Sequence, residues 1–181
     1  MASAIKQINL NPGQRAERKL LVTVAEWEEP LDGTTGTEQV RELLGTRTED
    51  SSIDYNADIQ DSTDILGNNY TDVNKTQPTQ SFDPFLILGG SRLGAFLNDI
   101  RRRNALSELT GTFTIYVITA FVGSSGNYET EKHSECTITY DSIGGDSNVN
   151  FPITVHFSNK ITTGKVDKIA PDFAFTPDVT V

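Results

Sequence analysis

The chain has one cysteine, one methionine, one tryptophan and two histidines, and nowhere do 18 apolar residues follow one another. A lone Cys136 excludes an internal disulfide and any cysteine-based zinc cluster within one chain. Without a long apolar run no membrane-spanning helix is expected, and the opening MASAIKQINLNPGQRAERKL has no apolar core of a signal peptide. The expectation is a soluble protein made in a cytoplasm. Only His133 and His156 offer neutral-pH acid–base chemistry. His156 falls on the polar side of a strand pattern. In His133-Ser134-Glu135-Cys136 the strand period sends histidine and cysteine to opposite faces, which argues against a nucleophile–base pair. Gly-x-Ser-x-Gly and His-Glu-x-x-His are missing. Gly89-Gly90-Ser91 precedes a helix pattern and could offer N–H groups to an anion, but it lacks the Lys-Ser/Thr of a phosphate loop. Asp58, Asp61 and Asp64 are closely spaced and Asp32-Gly33-Thr34 resembles the start of a calcium loop, yet neither has the ligand rhythm that closes on a glutamate. The sequons at Asn69 and Asn74 follow from the abundance of Asn and Thr. We therefore expect no catalytic residues, no metal and no cofactor.

What is present is turn chemistry and acid. The 181 residues fit one domain, and an apolar fraction of 36% with plentiful Gly, Asn, Asp, Ser and Thr suits an all-β protein. The net charge of −10 is concentrated. Between Glu26 and Asp64 stand twelve carboxylates against Arg41 and Arg47 alone, while the remainder balances. One reading is a solvated, partly mobile face that keeps the protein soluble; the other is a surface that repels a polyanion. Specific nucleic-acid binding is disfavoured because it needs a basic stripe.

Periodicity gives the architecture. Lys19 to Trp27 reads as an early strand, and a short helix is expected from Thr37 to Leu44. Ser52 to Ile59 and Tyr70 to Gln80 are strand-like but polar; such strands bury too little to order alone and make sense if a second subunit covers them. Leu93, Phe96, Leu97 and Ile100 fall at i, i+3, i+4 and i+7 behind Ser91 as N-cap, predicting an amphipathic helix. Its end carries Arg101, Arg102 and Arg103, which suit the helix dipole or, alternatively, an interface. Thr112 to Val122 has bulky groups on both faces and predicts a central strand. Gly123–Asn127 turns the chain into a strand from Tyr128 to Tyr140. Val149 to Phe157 alternates cleanly, with Pro152 suggesting an edge or bulge. Short strands are expected in Asn159 to Lys168 and Phe173 to Val181. Together these predict one mainly β domain, residues 1–181, with a flanking helix, a long acidic loop or hairpin at about 28–60, and flexible termini.

An ordered series of segments resembles a known family. Thr48-Glu49-Asp50-Ser51-Ser52-Ile53-Asp54-Tyr55-Asn56 is followed by Thr63-Asp64-Ile65-Leu66-Gly67, Tyr70-Thr71-Asp72-Val73-Asn74-Lys75-Thr76, Gln80-Ser81-Phe82-Asp83-Pro84-Phe85, and the helix ending Asp99-Ile100-Arg101-Arg102-Arg103. With Gly144-Gly145-Asp146 and Phe151-Pro152-Ile153, this series is similar to the major tail tube proteins of phages and prophages of Gram-positive bacteria, over roughly two-thirds of the chain. The resemblance implies a small antiparallel β-barrel or β-sandwich with one helix, joined into six-membered rings that stack as a virion tail tube. It also implies extended hairpins and termini bridging rings, and a negative channel down which DNA passes without sticking. Its partners are then itself, tail tip or baseplate, tape measure and tail terminator proteins, with no membrane. On that reading Glu49, Asp50, Asp54, Asp58, Asp61, Asp64, Arg101, Arg102 and Arg103 are candidate lumen or inter-subunit residues. The competing readings are a virion carbohydrate- or receptor-binding β-sandwich and the inner tube of a contractile injection machine.

Overall fold

The computed structural model describes residues 8–30, 35–48 and 50–178. In chain order these form β1 (Leu21–Pro30), β2 (Thr37–Leu43), β3 (Ile53–Asp54), β4 (Asp58–Thr63), β5 (Asn69–Lys75), β6 (Thr79–Phe82), α1 (Arg92–Arg103), β7 (Phe113–Ser124), β8 (Asn127–Tyr140), β9 (Ile153–His156), β10 (Ile161–Val166) and β11 (Phe175–Pro177). The termini expected to be flexible lie largely in residues 1–7 and 179–181, outside the described residues.

A nine-stranded antiparallel sheet runs β2-β1-β7-β8-β9-β6-β3, with β10 joined to β8 and β11 to β10. Strand β8 organises it. Its first half lies between β7 and β10, Tyr128 opposite Val166 and His133 opposite Ile161; its second half leaves β10 and pairs with β9 from Thr137 to Tyr140. The break is a bulge. Phe113 faces Cys136 but Ile115 faces His133, so Ser134 and Glu135 together oppose one residue of β7, and Glu135 sits at φ 58°. An extra residue bends a strand and increases its twist, which separates the β9-β6-β3 part of the sheet from the β2-β1-β7-β10 part. The mainly β expectation holds in its sandwich-like form; the sheet is not closed into a barrel.

The main core lies between these parts and beneath α1. Trp27, Phe113, Phe82, Phe151, Ile153 and Val155 are buried there with Leu93, Leu97 and Ile100 of the helix. The rings of Trp27, Phe96 and Phe113 meet at centroid distances of 6.0–6.2 Å. A second cluster of Val24, Tyr116, Ile118, Val166 and Phe173 covers the opposite face of β1 and β7. The two-faced bulk of Thr112 to Val122 is thus what it predicts, a strand buried on both sides between β1 and β8. The helix also forms as predicted. Ser91 Oγ accepts a hydrogen bond from Gly94 N at 3.1 Å, and Asn104 closes the helix in the left-handed region at φ 54°.

Three local expectations are corrected. Thr37 to Leu44 is not a helix but, through Leu43, strand β2, whose pairing with β1 places Val40 opposite Trp27 and Arg41 opposite Glu26; a seven-residue helix has too few internal bonds to compete with that pairing. The strand expected from Val149 begins only at Ile153, and it is interior, paired with β8 on one side and β6 on the other. Pro152 is accommodated because it stands before the ladder, its carbonyl accepting Asp141 N at 3.3 Å. His133 and Cys136 do not face opposite ways. The bulge between them resets the alternation and both point into the core side, His133 against Phe157 at 4.8 Å and Cys136 within the main cluster.

Around the second cluster lies a buried charge. Glu26 of β1 pairs with Arg41 of β2 at 2.5 Å, and the Tyr116 hydroxyl lies 3.3 Å from both carboxylate oxygens. Burial, reinforced by the Glu26 charge, pushes the Tyr116 phenol up to about 12. A phenol whose folded pKa lies above the unfolded value of about 10 stabilises the fold fully below pH 10 and loses that contribution as pH rises towards 12. Denaturant unfolding at pH 9 and pH 11 should therefore show a loss for the native protein that Tyr116→Phe does not share; equal losses in both would contradict this role.

Candidate assembly surface

The acidic window does not form one face. Besides Glu26, most of the β1–β2 part of it is bound within the fold, while Glu28 stays exposed on β1. Arg92 of α1 bridges Glu29, at 2.5 Å, and Glu38. Glu42 receives the Leu93 N–H at 2.9 Å and the Ser91 hydroxyl at 2.7 Å, so its carboxylate sits on the helix N-terminus where a negative charge is favoured. Apart from Asp32, the remaining acids lie on the other side of residue 48. Glu49 is outside the described residues, as are Asp32 to Thr34. Asp50 and Asp54 are exposed near the root of a hairpin, and Asp58 and Asp61 are exposed on its first strand. Asp64 sits in its turn.

That hairpin, β4–β5, is a separate two-stranded sheet. Its strands pair with each other from Asp58/Lys75 to Thr63/Asn69 and make no substantial contact with any other strand or helix. A two-stranded ribbon alone is marginal, and side-chain bonds reinforce this one. Thr71 Oγ1 donates to Asp61 at 2.6 Å and Thr63 Oγ1 to Asn69 at 2.7 Å. At the root, Asn56 Nδ2 donates to Gln77 O at 2.9 Å and Thr79 Oγ1 at 3.1 Å. The turn is tighter still. Asp64 Oδ1 accepts the N–H groups of Leu66 at 2.8 Å and Asn68 at 2.9 Å, Asn68 Nδ2 donates to Oδ2, and Gly67 takes φ 86°. These bonds, with the Asn68 side chain contributing most, hold the Asp64 carboxyl below its usual value.

What the hairpin displays is apolar as well as acidic. Ile59 and Val73 stand opposite each other, both exposed, and Tyr70 is exposed on the other face. Ile65 and Leu66 at the tip are 103% and 81% exposed. A folded chain rarely presents such a set without a use for it. These residues carry no mark in the sequence beyond the Asp64…Gly67 turn chemistry, since an isolated apolar residue reads as core.

The three arginines end α1 and are not alike. Arg101 bonds Asn98 Oδ1 at 2.9 Å, and Arg103 bonds Asp99 at 2.8 Å and both Glu108 oxygens at 2.8 and 2.9 Å. Arg103 is thereby raised and Glu108 lowered, each mainly by their mutual hydrogen bonds. Arg102 is exposed and has no partner among the described residues.

Elsewhere the chemistry is quiet. Cys136 Sγ accepts Ser158 N at 3.5 Å and donates to the His133 carbonyl at 3.4 Å, and burial pushes its thiol up. The His133 ring instead faces the Ser158 carbonyl at 3.4 Å and Glu131 at 3.3 Å. Among the described residues no three His, Cys, Asp or Glu side chains converge as a metal would need, and no helix is long and apolar enough to cross a membrane. A groove of about 380 Å³ opens beside the start of β1, with Arg18, Leu21, Leu44, Thr46, Ser51 and Phe82 among its walls. Thr23, another wall, donates at 2.9 Å to the buried Gln80, whose Nε2 has no partner among the described residues.

No family model matches the chain, and no curated protein matches it. Among solved structures, the fold is similar to a chain of the cryo-EM structure of the anti-feeding prophage (AFP) baseplate, 6-fold symmetrised. The identity is 9%, the TM-score 0.46, and the match covers 83% of this chain and 96% of that one.

Proposed function

We propose that the chain is a non-catalytic building block, a tail tube subunit whose copies close into stacked, six-membered rings around a DNA-conducting channel. The observation that carries this reading is the β4–β5 hairpin. It is braced by its own side-chain bonds, has outer edges that pair with no other strand among the described residues, and carries Ile59, Tyr70 and Val73 exposed. A free edge flanked by apolar side chains is a template for strand addition by another copy. The resemblance of the segments from Thr48 to Arg103 to tail tube proteins supports the same assembly.

The charge distribution supports a refinement of the channel. Glu26, Glu29, Glu38 and Glu42 are bound within the fold and contribute little outside it. Glu28, Asp50, Asp54, Asp58, Asp61 and Asp72 are exposed, so they are among the groups able to repel passing DNA. Screening limits that action to about 8–10 Å, which a ring of copies around a narrow bore satisfies and an isolated face does not.

Negative-stain microscopy of the purified protein checks the proposal directly. Rings or tubes of uniform bore are expected at high protein concentration. A protein that stays monomeric under all conditions and binds glycans would sink it.

A further inference from the structure

We infer that the hairpin tip, Ile65-Leu66, seats in the groove beside β1 of a second copy of the chain. This rests on the assembly reading above and names the contact that reading leaves open.

The tip is built as an anchor. Three hydrogen bonds to the Asp64 carboxylate and the left-handed Gly67 fix the turn that presents Ile65 and Leu66, so little conformational freedom remains to be lost when they dock. Six residues of β4 at about 3.4 Å each carry the tip some 20 Å from the root. At that reach it has left its own body, as the lack of substantial contacts between β4–β5 and any other element shows.

The groove has the complementary character. Leu21, Val22, Leu43, Leu44 and Phe82 supply apolar walls in a volume of about 380 Å³. Among the described residues, the charged side chains lining it are Arg18 and Lys19. Lys19 is ion-paired with Glu17, whereas Arg18 donates to the carbonyls of Leu21 and Ser51 and has no carboxylate partner among the described residues. The hairpin brings the opposite sign, Asp58, Asp61, Asp64 and Asp72 against Lys75 alone. An apolar tip with an ionised aspartate at its base thus fits an apolar groove lined by a guanidinium that no described carboxylate pairs, and complementary charge sets the orientation of docking. A groove at the hairpin root, with Pro78 and Phe157, has fewer apolar walls; one beside the start of α1 is as apolar, with Leu43, Phe85, Leu86 and Leu88, but its Arg41 and Arg92 already carry carboxylates. Tip and groove are different surfaces of the same molecule, so the contact is heterologous and must either close into a ring or run on as a fibre.

Cross-linking tests this on the full chain. Protein carrying Leu66→Cys is mixed with protein carrying Thr46→Cys, an exposed position on the groove wall, and treated with a short bismaleimide; Cys136 is buried and does not compete. A Leu66→Cys and Asp146→Cys mixture is the control. The 66–46 link should form at least about tenfold more often than 66–146, the ratio that about 1.4 kcal/mol of preference produces, and adding Arg18→Glu to the groove copy should lower it. If rings or tubes form without an excess of the 66–46 link, the groove assignment is wrong and the tube reading stands. If the link forms in excess but microscopy never shows rings or tubes, the seating stands and the tube reading falls. If neither appears, both are overturned.

Discussion

Arg41→Met should lower the stability of the chain by about 3 kcal/mol, the lower end of what an uncompensated buried charge costs, and so reduce Tm by about 6–12 °C. Arg41 stands directly across the β1–β2 ladder from Glu26, which is only 5% exposed. Its Nε meets the carboxylate at 2.5 Å, its Nη1 donates to the Phe173 carbonyl at 2.7 Å, and its plane lies 4.4 Å from the Phe173 ring centroid. Methionine keeps most of the apolar stem but leaves Glu26 with only the Tyr116 hydroxyl, at a long 3.3 Å. The penalty is then the desolvation of a carboxylate that can neither reach water nor find a cation. A second variant separates this from lost packing. Arg41→Met combined with Glu26→Leu removes the orphaned charge and should recover most of the loss, because a buried ion pair is worth little relative to apolar side chains of similar volume. Thermal unfolding of the single and double variants decides it. If both are equally destabilised, the effect is packing against Phe173 and not charge.

The same pair shows where the sequence is silent. The helix was legible to its cap, since Ser91 and the apolar positions of Leu93, Leu97 and Ile100 are local signals and the structure uses each of them locally. Strand β7 was legible because burial on both faces needs bulk on both faces. Strand β2 was not. Thr-Glu-Gln-Val-Arg-Glu-Leu is composed of residues content in a helix, and what decides it is a partner strand ten to fifteen residues back that offers Trp27 to Val40 and Glu26 to Arg41. The bulge in β8 is equally invisible, because Glu135 at φ 58° is held there by pairing with β7 and the switch from β10 to β9, not by any preference of glutamate. The charge window misled for a related reason. Summing carboxylates along the chain treats them as one surface, whereas Arg92, more than fifty positions away, removes Glu29 and Glu38 from it. Of the candidate site, the aspartates were found by their spacing and the apolar tip was not, since only three-dimensional isolation distinguishes Ile65 and Leu66 from core residues.

On the tube reading, excising residues 57–76 and closing Asn56 to Gln77 with a two-residue Gly-containing turn should abolish assembly while leaving the chain folded. The root permits the closure: Gln77 N already donates to Tyr55 O at 3.2 Å, so the two chain ends are adjacent before the cut. Stability should change little. The hairpin buries almost nothing of the body, and replacing a loop of about twenty residues by one of two relieves closure entropy worth about 2 kcal/mol at most. Assembly should respond all or none, because the excision removes both free strand edges, the exposed Ile59, Tyr70 and Val73, and the tip together. A milder variant, Ile59→Lys with Val73→Glu, keeps the ribbon through an opposite-charge pair across the same rung but removes its apolar face. It should weaken assembly in a salt-dependent way where the excision eliminates it. Circular dichroism and thermal unfolding report the fold, and sedimentation velocity with microscopy reports the assembly. A hairpin-less protein that still built tubes would show that the ribbon is decoration and that the closing contacts lie elsewhere, with the exposed Arg102 and the outer edge of β2 the next surfaces to cut.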